Sequence, residues 1–222
     1  MENEAAVKPS PEITVAKIIS YLFHPLFMPT YGLMLIFFSN QVSGFNMYAT
    51  PESMNTSWMV FLITIFFTML VPGVSAIVLK RMGKIQSLQM KNRNERMLPF
   101  GITGLSYLLS SVVMQNLMEN VPQLILVVLA GAQLSILLAL VISSFWKISI
   151  HMIGIGGIIG TEILMMQLFH FSWDMMLYAS ILVAGLVGFA RLRLNAHQPS
   201  EVLVGFVVGM MTETFFLFIY PH

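Results

Sequence analysis

His197 and Glu201 stand four residues apart in the stretch ARLRLNAHQPSEVLVGF, residues 190–206. On a helix that spacing brings a carboxylate to an imidazole, where it fixes the ring's tautomer and steadies the protonated form. Arg191, six residues before the histidine, carries a guanidinium that can grip two oxygens of a phosphoryl group in a bidentate fork. Two further polar clusters interrupt the apolar chain: MKNRNERMLPF, with Lys91, Arg93 and Arg96, and FWKISIHMIG, with Lys147, Ser149 and His151. A histidine can attack phosphorus, and a second can protonate the leaving oxygen, because imidazole titrates near neutral pH. Fixed cations neutralise phosphoryl oxygens as charge shifts in the transition state. The chemistry that suits these groups is phosphoryl transfer or hydrolysis.

The surroundings of these clusters are lipid-like. Of 222 residues, 57% are hydrophobic and only 9% charged, with mean hydropathy +0.81, whereas water-soluble domains carry about 25% charged residues. Runs long enough for a helix to cross the hydrocarbon predict seven spans: Ile18 to Ser39, Trp58 to Leu79, Leu98 to Leu117, Leu124 to Trp146, Ile148 to Phe171, Met175 to Ala190 and Val202 to Tyr220. The sixth is the shortest. The expected fold is an all-α, polytopic transmembrane helical bundle of six to seven spans, forming a single integral membrane domain over residues 1–222. The first run is read as a retained span. It follows a long, partly acidic start and contains Pro25 and Pro29, with no small-residue cleavage site. With no cysteine there is no disulfide, no thiolate metal site and no thiol nucleophile.

Counting spans places every Lys and Arg on the N-terminal side. Lys8 and Lys17 precede span one; Lys80, Arg81, Lys84, Lys91, Arg93 and Arg96 follow span two; Lys147 follows span four; Arg191 and Arg193 follow span six. The opposite side carries Glu52, Glu119 and Asp174. Lys and Arg retained in short loops mark the cytoplasmic face. The sequence thus predicts a protein of the inner (plasma) membrane, with its N-terminus and all three polar clusters cytoplasmic. Taken singly, Arg93 and Arg193 read as snorkelling anchors, and His24 and His170 as interfacial hydrogen-bonders.

The three clusters, in this order and with two spans between each pair, resemble the type 2 phosphatidic acid phosphatase superfamily, membrane lipid phosphatases related to vanadium haloperoxidases. Its motifs are KxxxxxxRP, PSGH and SRxxxxxHxxxD. Here the third is Arg191, His197 and Glu201, with Glu for Asp and Ala190 for Ser; the second keeps Ser149 and His151, with Ile148 and Ile150 for Pro and Gly. The first keeps Lys91 and Pro99, with Leu98 at the Arg position and Arg96 two residues earlier. The resemblance covers about residues 58–222. It implies that His197 is the nucleophile forming a phosphohistidine, Glu201 its orienting partner and His151 the general acid. It makes Lys91, Ser149 and Arg191 phosphate ligands, with Lys147 and Arg96 as additions. It implies no metal and no other cofactor. The substrate would be a lipid phosphate monoester or a polyprenyl diphosphate in the membrane, with no nucleic-acid partner. The departures at Leu98, Ile150 and Ala190 suit a second reading, a non-catalytic member that binds lipid head groups or carries them. Basic anchors alone would suit a structural membrane subunit.

Glu162 and Glu213 fall near mid-membrane, about 16 Å past His151 and about 18 Å past Glu201 at the helical rise. Such carboxyls either line a pathway or are protonated and bonded to a neighbour such as Thr161, Thr212, Thr214 or Gln167. In GIGGIIG, residues 154–160, Gly156 and Gly160 suit close helix packing, as do Gly205 and Gly209. The string lies within a membrane run, which sets it apart from a nucleotide-binding loop.

Overall fold

Pro25 divides the first apolar run. The residue before a proline is pushed out of the helical region, and His24 is accordingly extended, with φ −68° and ψ 139°. In the computed structural model, which describes residues 10–38, 51–88, 90, 92–118, 121–169, 174–216 and 219, the expected continuous span from Ile18 to Ser39 is therefore two helices. These are α1 (Pro11–Leu22) and α2 (Met28–Phe38), joined at an elbow by a 3-10 turn, Pro25–Phe27. Pro29 sits in the first turn of α2, where its missing N–H costs no bond.

The second span is α3 (Pro51–Ile65), a π turn (Phe66–Leu70) and α4 (Val71–Arg81). Pro72 has no N–H to offer the carbonyl four residues back, and the helix widens there. Then follow α5 (Met97–Leu117), α6 (Gln123–Phe145), α7 (Ile150–Phe169), α8 (Asp174–Arg193) and α9 (Pro199–Phe215). There is no strand among the described residues. Six helical stretches are long and apolar enough to cross a membrane: Pro11–Phe37, Met54–Arg81, Asn94–Leu117, Gln123–Phe145, Ile150–Leu168 and Asp174–Arg193. The sixth, shortest in the sequence reading, is a full 20-residue helix. The seventh begins as α9, whose 17 residues measure about 25 Å. Val202 to Tyr220 extends past it to residues outside those described.

Two buried layers show how the passes alternate. At one end, Phe100 of α5, Ala139 of α6 and Ile148 and Ile153 at the start of α7 pack with Val204 and Val208 of α9. At the other, Leu33 and Phe37 of α2, Val60 of α3, Met114 of α5, Leu124 of α6 and Leu164 of α7 pack together. Helix α7 is the axis: 67% of its most apolar stretch is buried, against at most 39% for any other span.

Small residues make that burial possible. A Cβ on Gly205 would lie 2.6 Å from the Ser149 carbonyl oxygen, and one on Gly160 2.6 Å from that of Met210. Cβ atoms on Gly156 and Gly209 would overlap the carbonyl oxygens of Phe206 and Ile153. Helices α7 and α9 thus touch backbone to backbone through the four glycines expected to do so.

Candidate functional site

Helix α8 ends in a Schellman turn. The Asn195 N–H donates to the Leu192 carbonyl and the Ala196 N–H to that of Arg191, with Asn195 left-handed at φ 50°. Three residues after Ala196, Pro199 opens α9, its fixed φ suited to a first helical position. The short turn between holds His197, and the first turn of α9 holds Glu201. Their side chains meet at 2.7 Å, Nδ1 to Oε2, and both are buried. The Gln198 backbone N–H also donates to Glu201 Oε2, at 3.3 Å, so the carboxylate is held from two directions.

Around this pair the cations gather. Burial, and then the charges of Arg191, Arg96 and Lys147, hold the His197 imidazole well below its ordinary value of 6.5, at about 3. The ring is neutral at pH 7. With Nδ1–H donated to Glu201, Nε2 keeps its lone pair, the form in which histidine attacks an electrophile.

Ser149 directly precedes α7. Its backbone N–H donates to the Glu201 carbonyl at 3.3 Å, and its own carbonyl accepts from Met152 and Ile153. Its Oγ is fully buried without a partner in the protein. The start of a 20-residue helix and a free hydroxyl there favour an anion. His151, one residue into α7, is buried with Nε2 3.2 Å from the Ser20 carbonyl oxygen. Its Nδ1 has no protein partner, and neither does Arg191 Nε. Arg191 Nη1 donates to Ser20 Oγ at 3.3 Å. Three buried polar atoms in one cluster thus face no protein group, and all three suit the oxygens of a phosphoryl group or the atoms it exchanges.

Arg96, at the end of the 3-10 turn Arg93–Arg96, is 6% exposed. Its Nε donates to the Met90 carbonyl at 3.0 Å and Nη1 to the Ile148 carbonyl at 3.1 Å. Leu98, at the resembling motif's Arg position, is 50% exposed on the outer side. Lys147 donates through Nζ to the Ala196 carbonyl at 2.6 Å, bridging the segment before α7 to the His197 turn. Lys91 lies outside the described residues. Among the described residues, no three His, Asp or Glu side chains are grouped so as to hold a metal ion. Comparison with protein-family models, with curated proteins and with solved structures gives no match.

The structure also adds two residues. His24, read from sequence as an interfacial hydrogen-bonder, packs edge-on against His151 with ring centroids 5.4 Å apart, and Ser20 touches both His151 and Arg191. The signal that could have found His24 is the His-Pro pair inside an apolar run, which forces a break at a polar side chain. Arg193, read as an anchor, pairs with Glu12 of α1.

The intramembrane carboxyls stand apart from this cluster. Glu162 accepts from Ser180 of α8 at 2.7 Å, a partner other than the neighbours expected, because its position faces α8. Glu213 lies in the space that Gly131 of α6 leaves open. Thr212 instead shares a 2.5 Å hydrogen bond with Ser135, and Gln167 is exposed.

Proposed function

We propose that the protein hydrolyses a lipid phosphate monoester or a polyprenyl diphosphate through a phosphohistidine. The observation that carries this reading is the neutral His197 imidazole paired with Glu201 and ringed by Arg191, Arg96 and Lys147, beside three buried polar atoms that lack protein partners. His197 Nε2 attacks phosphorus and the bond from phosphorus to the lipid-side oxygen breaks. That oxygen leaves with a proton that the His151 Nδ1 lone pair takes from the acid form of the bound phosphoryl group and passes on. Water then attacks the phosphohistidine and the P–N bond breaks; the proton released by water passes by way of His151 Nδ1 to the inorganic phosphate, which departs. The guanidinium groups and the start of α7 stabilise the equatorial oxygens throughout.

The charge bias supports a site on the cytoplasmic face of an inner (plasma) membrane, which favours a substrate made on the inner leaflet. The decisive experiment is phosphate release from phosphatidate, phosphatidylglycerophosphate and undecaprenyl diphosphate by the purified protein. The expected result is turnover of at least one, inhibited by vanadate and abolished in His197→Ala. Equal release by wild type and His197→Ala on every substrate overturns the mechanism. A second reading, head-group binding or carriage without turnover, draws support from Glu162 and Glu213, each of which has a buried carboxyl oxygen with no partner. It expects anionic-lipid binding that survives His151→Ala.

A further inference from the structure

Helix α1 lies outside the part of the chain that resembles the phosphatase core, yet it reaches the centre of the site. The backbone carbonyl of Ser20 accepts from His151 Nε2. A carbonyl can only accept, so this contact puts the ring proton on Nε2 and leaves Nδ1 as the nitrogen without a protein partner. The hydroxyl of the same residue receives Arg191 Nη1 and leaves Arg191 Nε unpartnered. One residue of α1 therefore decides which atoms of two site residues remain for a ligand. His24 acts from the elbow. Its Nδ1 accepts the Leu26 N–H at 3.3 Å, which fixes the ring where it meets His151 edge-on, at an interplanar angle of 78°.

The burial pattern of α1 points the same way. Val15, Ile18 and Leu22 are more than half exposed, an apolar face turned outward, while Ala16 and Ser20 are buried against the bundle. A helix that served only as an anchor gains nothing from a hydroxyl at a buried position, where alanine would pack as well and desolvate nothing. The ion pair of Glu12 with Arg193 fastens the start of the helix to the end of α8.

We propose that the α1–α2 elbow completes the anion site, Ser20 positioning His151 and Arg191, and His24 buttressing the His151 ring. For its ligand the proposal rests on the phosphoryl reading above, but it does not require turnover. The test uses the full-length protein in detergent, with two readouts: kcat and KM on the lipid phosphates above, and the dissociation constant for orthovanadate. Ser20→Ala should raise KM and the vanadate constant about tenfold at nearly unchanged kcat, the effect of one lost charge-assisted hydrogen bond, and Ser20→Thr should restore both. His24→Asn keeps an acceptor for the Leu26 N–H but removes the ring. It should lower kcat about tenfold with little change in KM, as expected when a proton-transfer group is left loosely held. Ser20→Cys, similar in size and a weak acceptor, replaces the alanine variant if that one does not fold.

If wild type turns over and these variants match it in kcat and KM, the proposal fails while the phosphatase reading stands. If wild type releases no phosphate but binds vanadate, and Ser20→Ala weakens that binding, the proposal stands and the phosphatase reading falls. Vanadate binding that ignores Ser20, or no vanadate binding by wild type, overturns the proposal.

Discussion

At the scale of single residues, the His197–Glu201 pair makes two predictions. Glu201 holds the imidazole in one tautomer at 2.7 Å, and an amide can offer the wrong atom to Nδ1–H. Glu201→Gln should therefore lower kcat by about 10²- to 10⁴-fold, measured as phosphate release with the protein shown to be folded. The second concerns pH. The folded His197 titrates at about 3 against an ordinary value of 6.5, so between these values the unfolded chain binds a proton that the folded chain does not. Folding stability contributed by this residue is intact above 6.5 and falls as the pH drops through that window. Thermal midpoints of wild type and His197→Gln should converge as the pH is lowered, because glutamine has nothing to titrate; parallel curves would contradict the assignment. Local spacing made Arg191, His197, Glu201, Ser149 and His151 legible in the sequence, since each lies within one cluster. Ser20 was not legible: its partners lie 131 and 171 positions along the chain, and no spacing rule spans that distance. Arg96 and Leu98 show a subtler limit. Two residues along a helix turn about 200°, so Leu98 and Arg96 face opposite ways, and the guanidinium enters from a position the linear motif does not mark.

At the scale of elements, the turn between α8 and α9 sets the position of His197. Asn195 adopts φ 50°, which glycine tolerates freely and a β-branched residue does not. Asn195→Gly should leave stability within a few tenths of a kcal/mol, whereas Asn195→Val should cost about 1–2 kcal/mol and reduce turnover by moving His197; paired thermal melts and assays of the two variants check this. In Gly205→Ala the new methyl would sit 2.6 Å from the Ser149 carbonyl oxygen, a clash worth about 1–3 kcal/mol, read as a lower unfolding midpoint in detergent. The spans were largely legible because α5, α6 and α7 are long runs in which apolar residues far outnumber polar ones. The first was not, since hydropathy counts proline as a minor blemish while the backbone treats Pro25 as a hinge. The limits of α8 were hidden for the opposite reason: its ends, Asp174 and Arg193, are charged yet helical.

At the scale of the whole molecule, the end of the bundle where α7 and α9 begin and α8 stops is also where the basic residues collect. A chain without cysteine allows a direct test of which way it faces. Lys84→Cys, exposed in the basic loop, and Asp174→Cys, exposed at the opposite end of α8, should react with a membrane-impermeant maleimide from opposite sides, Lys84→Cys only in inverted vesicles. Labelling of Lys84→Cys in intact cells would move the site to the outer face. Composition alone settled that this is a helical membrane protein; it could not settle which helix is central, because α7, the most buried, is less apolar than α6, with mean hydropathy 1.3 against 2.8, and is set apart instead by its glycines. That difference has a mechanical meaning. Where backbone rests on backbone there are no rotamers to exchange, so α7 and α9 have a single register and act as one rigid beam. His151 and His197 are mounted at the same end of it and keep a fixed spacing, so the give that any working cycle needs must come from the parts clamped around the beam, the α1–α2 elbow among them.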